Sequence, residues 1–141
     1  MNEANDGATK TWVLALTSAG SLMAVLDAMV VATALNTMRV DLNASMEALE
    51  WTMNAYNLSF AVLLLTGAAL GDRFGRARMF VAGLVLFVAA SVACALAGSA
   101  GWLIAARAVQ GAGASLIMPI AMALLSATFP PQESAGALGI F

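Results

Sequence analysis

Between residues 71 and 80 the chain reads Gly71-Asp72-Arg73-Phe74-Gly75-Arg76-Ala77-Arg78-Met79-Phe80, and three of its six basic residues stand in that stretch. On either side lie about twenty residues that are almost wholly apolar, a length that suits a helix crossing a bilayer. Two apolar spans joined by a short arginine-rich connection describe a chain that enters a membrane, turns in water and enters again. Gly71 and Gly75 are expected to bend the backbone at that turn.

The composition agrees. Of 141 residues, 62% are hydrophobic and 10% are charged, with a mean hydropathy of +0.89. A soluble domain has about 25% charged residues. This chain has too few polar side chains to cover a surface in water, so its expected solvent is lipid. The net charge of −2 argues against a nucleic-acid partner, which would want a basic face. With one cysteine and no histidine, neither a disulfide framework nor a thiolate- or imidazole-bound metal is supported. Cys94, in an apolar run, reads as a small buried hydrophobe. No equipment for nucleophilic catalysis is visible, so an enzyme is not expected, and no cofactor is called for.

Taken in order, residues 1–10 read as a short, disordered cytoplasmic leader. The apolar stretch from about 12 to 38 is too long for a signal peptide and reads as a first span. Asp27 lies near its middle, with Gly20, Ala24, Val31 and Ala34 on or near the same face. A carboxylate at that depth costs roughly 2.5–3.5 kcal/mol on insertion scales and normally faces a bundle interior or a watery cavity. It reads either as a functional acid or as a structural hydrogen bond that pins the helix.

A polar connection with Arg39, Asp41, Glu47 and Glu50 leads to a second span over about 49–70. Asn54, Asn57 and Ala61 share a face at helical spacing, for lining a polar cavity or for bonding to another helix. Trp51 suits an interfacial anchor. The third span covers about 79–97, a tight turn is expected over Gly98–Gly101, and a fourth span covers about 102–129. That last span contains Arg107, Gln110, Gly111, Gly113 and Pro119. Pro130 and Pro131 are expected to stop it, and a fifth span begins near 135.

The basic residues set the orientation. A cytoplasmic N-terminus keeps Lys10, Arg73, Arg76 and Arg78 inside and leaves only Arg39 outside, as the positive-inside rule favours. The fourth helix then enters from outside, and Arg107 and Asp27 differ in depth by roughly 8 Å at 1.5 Å per residue. A lone buried arginine and a lone buried aspartate are expected to meet, directly or through water.

These residues together resemble the N-terminal part of a major facilitator superfamily transporter, and most of all its drug:proton antiporter branch with fourteen spans. The stretch from Leu70 to Arg78 looks like the superfamily signature between the second and third helices. Arg107-Ala-Val-Gln110-Gly111-Ala-Gly113-Ala-Ser115, with Pro119 following, looks like its fourth-helix motif. Leu26-Asp27-Ala-Met-Val30-Val31-Ala-Thr-Ala34-Leu35 is similar to that branch's first-helix motif, and Trp51 and Tyr56 fit it too. The pattern departs in places. Ala68 stands where the family has a glycine, with Gly67 one place early. Met29, Ala32 and Asn36 replace a threonine, an asparagine and a proline, and Ser134 and Gly136 stand where arginines are common.

The resemblance implies an all-α integral membrane fold, a major-facilitator-type helical bundle with four complete transmembrane helices and the start of a fifth. On this view residues 11–141 are an incomplete N-terminal half, whose partner is the missing C-terminal portion of the same transporter. It implies a multi-pass protein of the cytoplasmic membrane that exports lipophilic or cationic drug-like small molecules against inward proton flow, the proton gradient being its energy source. It makes Asp27, Arg107 and Gln110 a proton-coupling set, and Gly111, Gly113 and Pro119 helix-packing positions. Gly71, Asp72, Arg73, Gly75, Arg76 and Arg78 become a cytoplasmic latch, with Asp72 set against a helix end of the other half. Two other readings suit the helix count: a self-contained four-helix multidrug transporter acting as a dimer, and a non-transporting membrane subunit whose buried charges are structural.

Overall fold

The computed structural model describes residues 3–128, which form four helices and no strand. The expected Pro130–Pro131 stop and the fifth helix lie outside the described residues. Helix α1 runs from Glu3 to Asp41, 39 residues, or about 58 Å at 1.5 Å per residue, nearly twice the bilayer core. Residues 3–10 are therefore helical, not a disordered leader. No proline or Gly-Gly pair interrupts them, and extending an existing helix by a residue costs far less than starting one.

Asn43, at φ 47°, turns the chain after α1, a conformation that asparagine tolerates better than most residues. Helix α2 (Met46–Phe74) opens on Ser45, whose Oγ accepts from the Ala48 N–H at 3.2 Å. Glu47 follows in the first turn, where the helix dipole favours an acid.

The arginine segment is less of a loop than its sequence suggests. α2 continues through Asp72, Arg73 and Phe74, and α3 (Arg76–Ala95) starts two residues later. Gly75 alone breaks the helix, at φ 100°, a region where a side chain would be strained. Its N–H donates to the Gly71 carbonyl and its own carbonyl accepts from Met79, so both helix ends keep their bonds across the bend. Gly71 does not bend the chain. It is helical and buried, and a Cβ there would come within 2.9 Å of Ile120.

Helix α4 (Ala100–Thr128) begins inside the expected tight turn, because Ser99 caps it by accepting from the Trp102 N–H at 3.3 Å. It is the centre of the bundle. Ala114, Ile117, Ile120 and Ala121 are almost fully buried and form a core with Ala24 of α1 and with Phe80 and Phe87 of α3. α2 and α3 pack along α4, and α1 lies against it less extensively.

These packings are close because glycines stand at the crossings. A Cβ on Gly111 would collide with the Tyr56 carbonyl, and one on Gly67 with the Ser115 carbonyl, so α2 and α4 meet backbone to backbone. Pro119 has no N–H for the Ser115 carbonyl four residues before it, and the carbonyl so released is the one that faces Gly67. The glycine one place early thus packs where a side chain would not fit, while Ala68 lines a small recess beside Pro119 and Arg76. On the α3 side a Cβ on Gly113 would approach the Phe87 nitrogen to 2.8 Å. Small residues that let helices approach closely are the usual means of association in lipid.

The outward faces are apolar: Trp12, Leu22 and Val30 on α1, Leu58, Val62 and Leu65 on α2, and Val81, Val85, Val88 and Val92 on α3. All four helices are long and apolar enough to cross a membrane.

Candidate functional site

Position 107 opens a polar stripe on α4. Residues 107, 110, 111 and 114 recur at intervals of three and four, which puts them on one face, and all four are buried. On α1 the same spacing carries Thr17, Gly20, Ser21, Ala24 and Val31 into the bundle, with Asp27 at the edge of that face. The two stripes meet. Arg107 Nη1 donates to Asp27 Oδ2 at 2.5 Å, with the guanidinium 3% and the carboxylate 17% exposed. The depth difference expected from counting residues is bridged directly by the arginine side chain.

Gln110 joins the pair to α3. Its Nε2 donates to Asp27 Oδ1 at 2.7 Å and to Ser91 Oγ at 2.8 Å. Its Oε1 accepts from Arg107 Nη1 at 2.8 Å and, more weakly, from Cys94 Sγ at 3.6 Å. An amide has two N–H donors and two acceptor lone pairs, and here all four are used. The orientation of Gln110 is thereby fixed, since a flipped amide would set its oxygen against the carboxylate.

α2 completes the cluster with a ring. The Arg107 guanidinium carbon lies 4.3 Å from the Tyr56 ring centroid, a cation–π contact of about 2 kcal/mol where water is excluded. Arg107 Nε has no partner, so the ring face is part of what offsets its burial. Four helices thus converge on one ion pair. Removing one partner of such a pair typically costs about 3–5 kcal/mol, because the other charge stays buried alone.

Beside it, α1, α2 and α4 line an open cavity of about 470 Å³. Its lining is Ala24, Val25, Ala28, Met29, Ala32, Tyr56, Asn57, Phe60 and Met118. Asn57 is the one amide there. Asn54 is exposed and is not among the lining residues, although it lies one turn from Asn57. Both sit toward the open side of α2, and the cavity's length covers only the later one.

In the arginine segment, Asp72 Oδ1 accepts from Arg76 Nε at 3.1 Å and from Nη2 at 3.0 Å. Arg76 Nη1 also donates to the Ala123 carbonyl of α4 at 3.3 Å. Arg76 therefore ties the α2–α3 bend to α4. Arg73 and Arg78 are exposed, with Arg73 5.4 Å from the Phe74 ring centroid. Among the described residues no group of three or more acids, cysteines or histidines could hold a metal.

The sequence pattern of the Major Facilitator Superfamily matches residues 17–141, which takes in the ion pair, the glycine crossings and the arginine segment. The chain belongs to the Major Facilitator Superfamily. It is a multi-pass membrane protein of a transporter family, not an enzyme.

Among major facilitator relatives, the probable actinorhodin transporter of Streptomyces coelicolor is 44% identical over 120 residues, 85% of this chain and 21% of that protein. The tetracenomycin C resistance and export protein of Streptomyces glaucescens is 39% identical over 86% of this chain and 23% of its own length. The multidrug resistance protein Stp of Mycobacterium tuberculosis is 37% identical over 94% of this chain and 25% of its own. The chain spans about a fifth to a quarter of the relatives it matches.

Sequence reasoning missed three contributors to the site. Ser91 stands unmarked within the third apolar span, Cys94 reads only as a small hydrophobe, and Tyr56 enters only as part of a motif. Ser91 and Cys94 are three apart on α3 and share a face, a weak signal that α3 has a polar side. Nothing local in the sequence places Tyr56 under Arg107.

Proposed function

We propose that these four helices work within a proton-coupled exporter of lipophilic, often cationic, drug-like compounds, in the fourteen-span branch of the superfamily. The relatives named for antibiotic transport, resistance and export support this reading. The observation that carries it is the buried Asp27–Arg107–Gln110 cluster. An intramembrane acid is functional by default, and this one touches a cation and an amide that are themselves out of reach of water. Adding a proton to Asp27 would cancel its charge, release Arg107 from its counter-ion and alter the forces between α1 and α4. Removing the proton would restore them. That is the behaviour required of a group that ties proton movement to helix movement, with the proton gradient supplying the energy.

The cavity between α1 and α2 suits a lipophilic substrate, since its walls are alanine, valine, methionine and aromatic rings with Asn57 for one polar contact. The helix ends support an inside N-terminus in the cytoplasmic membrane, with the arginine segment in the cytoplasm. There Asp72, 66% exposed, is available to a helix end elsewhere in the transporter, acting as a latch that closes and opens with the transport cycle.

The test is proton-driven efflux by the complete transporter in everted membrane vesicles, with Asp27→Asn compared against wild type. The asparagine keeps the size and one acceptor, so the protein is expected to insert normally while coupled efflux is lost. Unchanged efflux would remove Asp27 from the mechanism.

A further inference from the structure

Tyr56 belongs to two places at once. One face of its ring carries the Arg107 guanidinium at 4.3 Å. The same side chain walls the cavity between α1 and α2, beside Phe60, whose ring is parallel to it with centroids 6.4 Å apart. Its backbone is held as well, because its carbonyl rests against Gly111 with no room for a Cβ between them. Gly111 follows Gln110 directly. The ring therefore cannot shift along α4 without disturbing the segment that bears the charges.

Arg107 has few other restraints. Nη1 serves both Asp27 and Gln110, and Nε has no acceptor. If the Asp27 charge is cancelled, its ionic hold on the guanidinium goes and only a weaker neutral acceptor remains there, which leaves the Gln110 oxygen and the Tyr56 ring to share in holding Arg107. A π face attracts a cation whichever way its N–H groups point, so it can keep Arg107 in place while the hydrogen bonds rearrange.

We propose that Tyr56 is a positioning residue for Arg107, and that a molecule entering the cavity acts on the Asp27–Arg107 pair through this ring. The proposal rests on reading that pair as the coupling centre. The cavity itself presents no charged side chain among its lining residues, so an occupant has no direct ionic contact there, and Tyr56 is the lining residue that touches the arginine. A flat aromatic cation would compete with Arg107 for the ring, and a neutral aromatic would press it.

Cys94 supplies a built-in reporter, because its thiol bonds to the same amide oxygen as Arg107. The experiment uses the complete transporter in membranes with Tyr56→Phe, Tyr56→Leu and Tyr56→Met. It measures the rate of Cys94 alkylation by N-ethylmaleimide, read on the Cys94 peptide by mass spectrometry, with and without ethidium, and ethidium efflux as KM and Vmax. Phenylalanine keeps the π face, while methionine keeps most of the bulk without it. Tyr56→Phe is expected to stay within twofold of wild type in every measurement. Tyr56→Met and Tyr56→Leu are expected to raise Cys94 alkylation at least fivefold, to abolish its response to ethidium and to lower Vmax about tenfold. Methionine behaving like phenylalanine would overturn the proposal, since bulk alone would then suffice, and so would a wild-type Cys94 rate indifferent to ethidium that is being exported. If wild type exports no ethidium while the variants still rank as stated in alkylation, the positioning role stands and the drug-efflux reading fails.

Discussion

Two arginines in this chain each hold an aspartate, and the two pairs have little else in common. Arg76 and Asp72 are four residues apart across one bend, at 3.0 Å, with side chains 41% and 66% exposed. Arg107 and Asp27 are eighty residues apart on different helices, and the guanidinium is almost wholly buried. Water screens the first pair and can replace either partner, so its net worth is about 0–1 kcal/mol. In the second, water has little access to the guanidinium, and no other charged group takes the place of a lost partner. Similar contact distances therefore say little about importance. What differs is the surrounding medium, and with it the cost of leaving a charge alone.

The largest effect should come from breaking the buried pair on one side only. Arg107→Ala is expected to destabilise the four-helix unit by about 3–5 kcal/mol, seen as a large loss of thermal stability in detergent. Adding Asp27→Asn to it should recover much of that loss, since no unpaired carboxylate would remain. A double variant as unstable as the single one would show that the arginine contributes packing instead of charge.

Next should come the crossing that holds Tyr56 in place. Gly111→Ala puts a methyl group where the Tyr56 carbonyl stands, and overpacking of this kind costs about 1–3 kcal/mol. Thermal stability should fall by less than in Arg107→Ala, and transport should fall with it. A Gly111→Ala protein of normal stability would mean that α2 and α4 separate easily, which would weaken the contrast between a rigid buried cluster and a soft surface one.

The smallest stability effect belongs to the exposed pair. Asp72→Asn should change stability by less than about 1 kcal/mol and leave membrane insertion intact, while lowering transport turnover if the segment latches the cytoplasmic side. Normal turnover would retire the latch and leave Arg76 with the task of joining the bend to α4.

Much of this architecture was legible in the residues. Apolar runs long enough to span lipid are visible by composition, and charges inside them stand out because they are so costly there. Asp27 and Arg107 could be singled out for that reason. Local chemistry is less legible in the sequence. The arginine stretch looked like a loop because it is polar, yet polar residues form helix readily once a helix already runs into them, and only Gly75 has the backbone angle that ends one. Gly71 and Gly75 look alike in sequence, but one serves packing and the other a turn. Asn54 and Asn57 share a helical face, and only the neighbouring helices decided that Asn57 alone borders the cavity.

The sequence by itself therefore determined the solvent, the number of spans described and the presence of two costly charges. Each follows from the free energy of moving a side chain between water and lipid, a property of the residue and its near neighbours. Only the tertiary structure decided that Gln110 uses all its hydrogen-bonding groups, that Ser91 and Cys94 belong with it, and that Tyr56 lies between the cavity and Arg107. Those facts depend on how four helices rotate and cross. The crossings are set by glycines meeting carbonyls on other helices, and no local pattern reveals which carbonyl each glycine will meet.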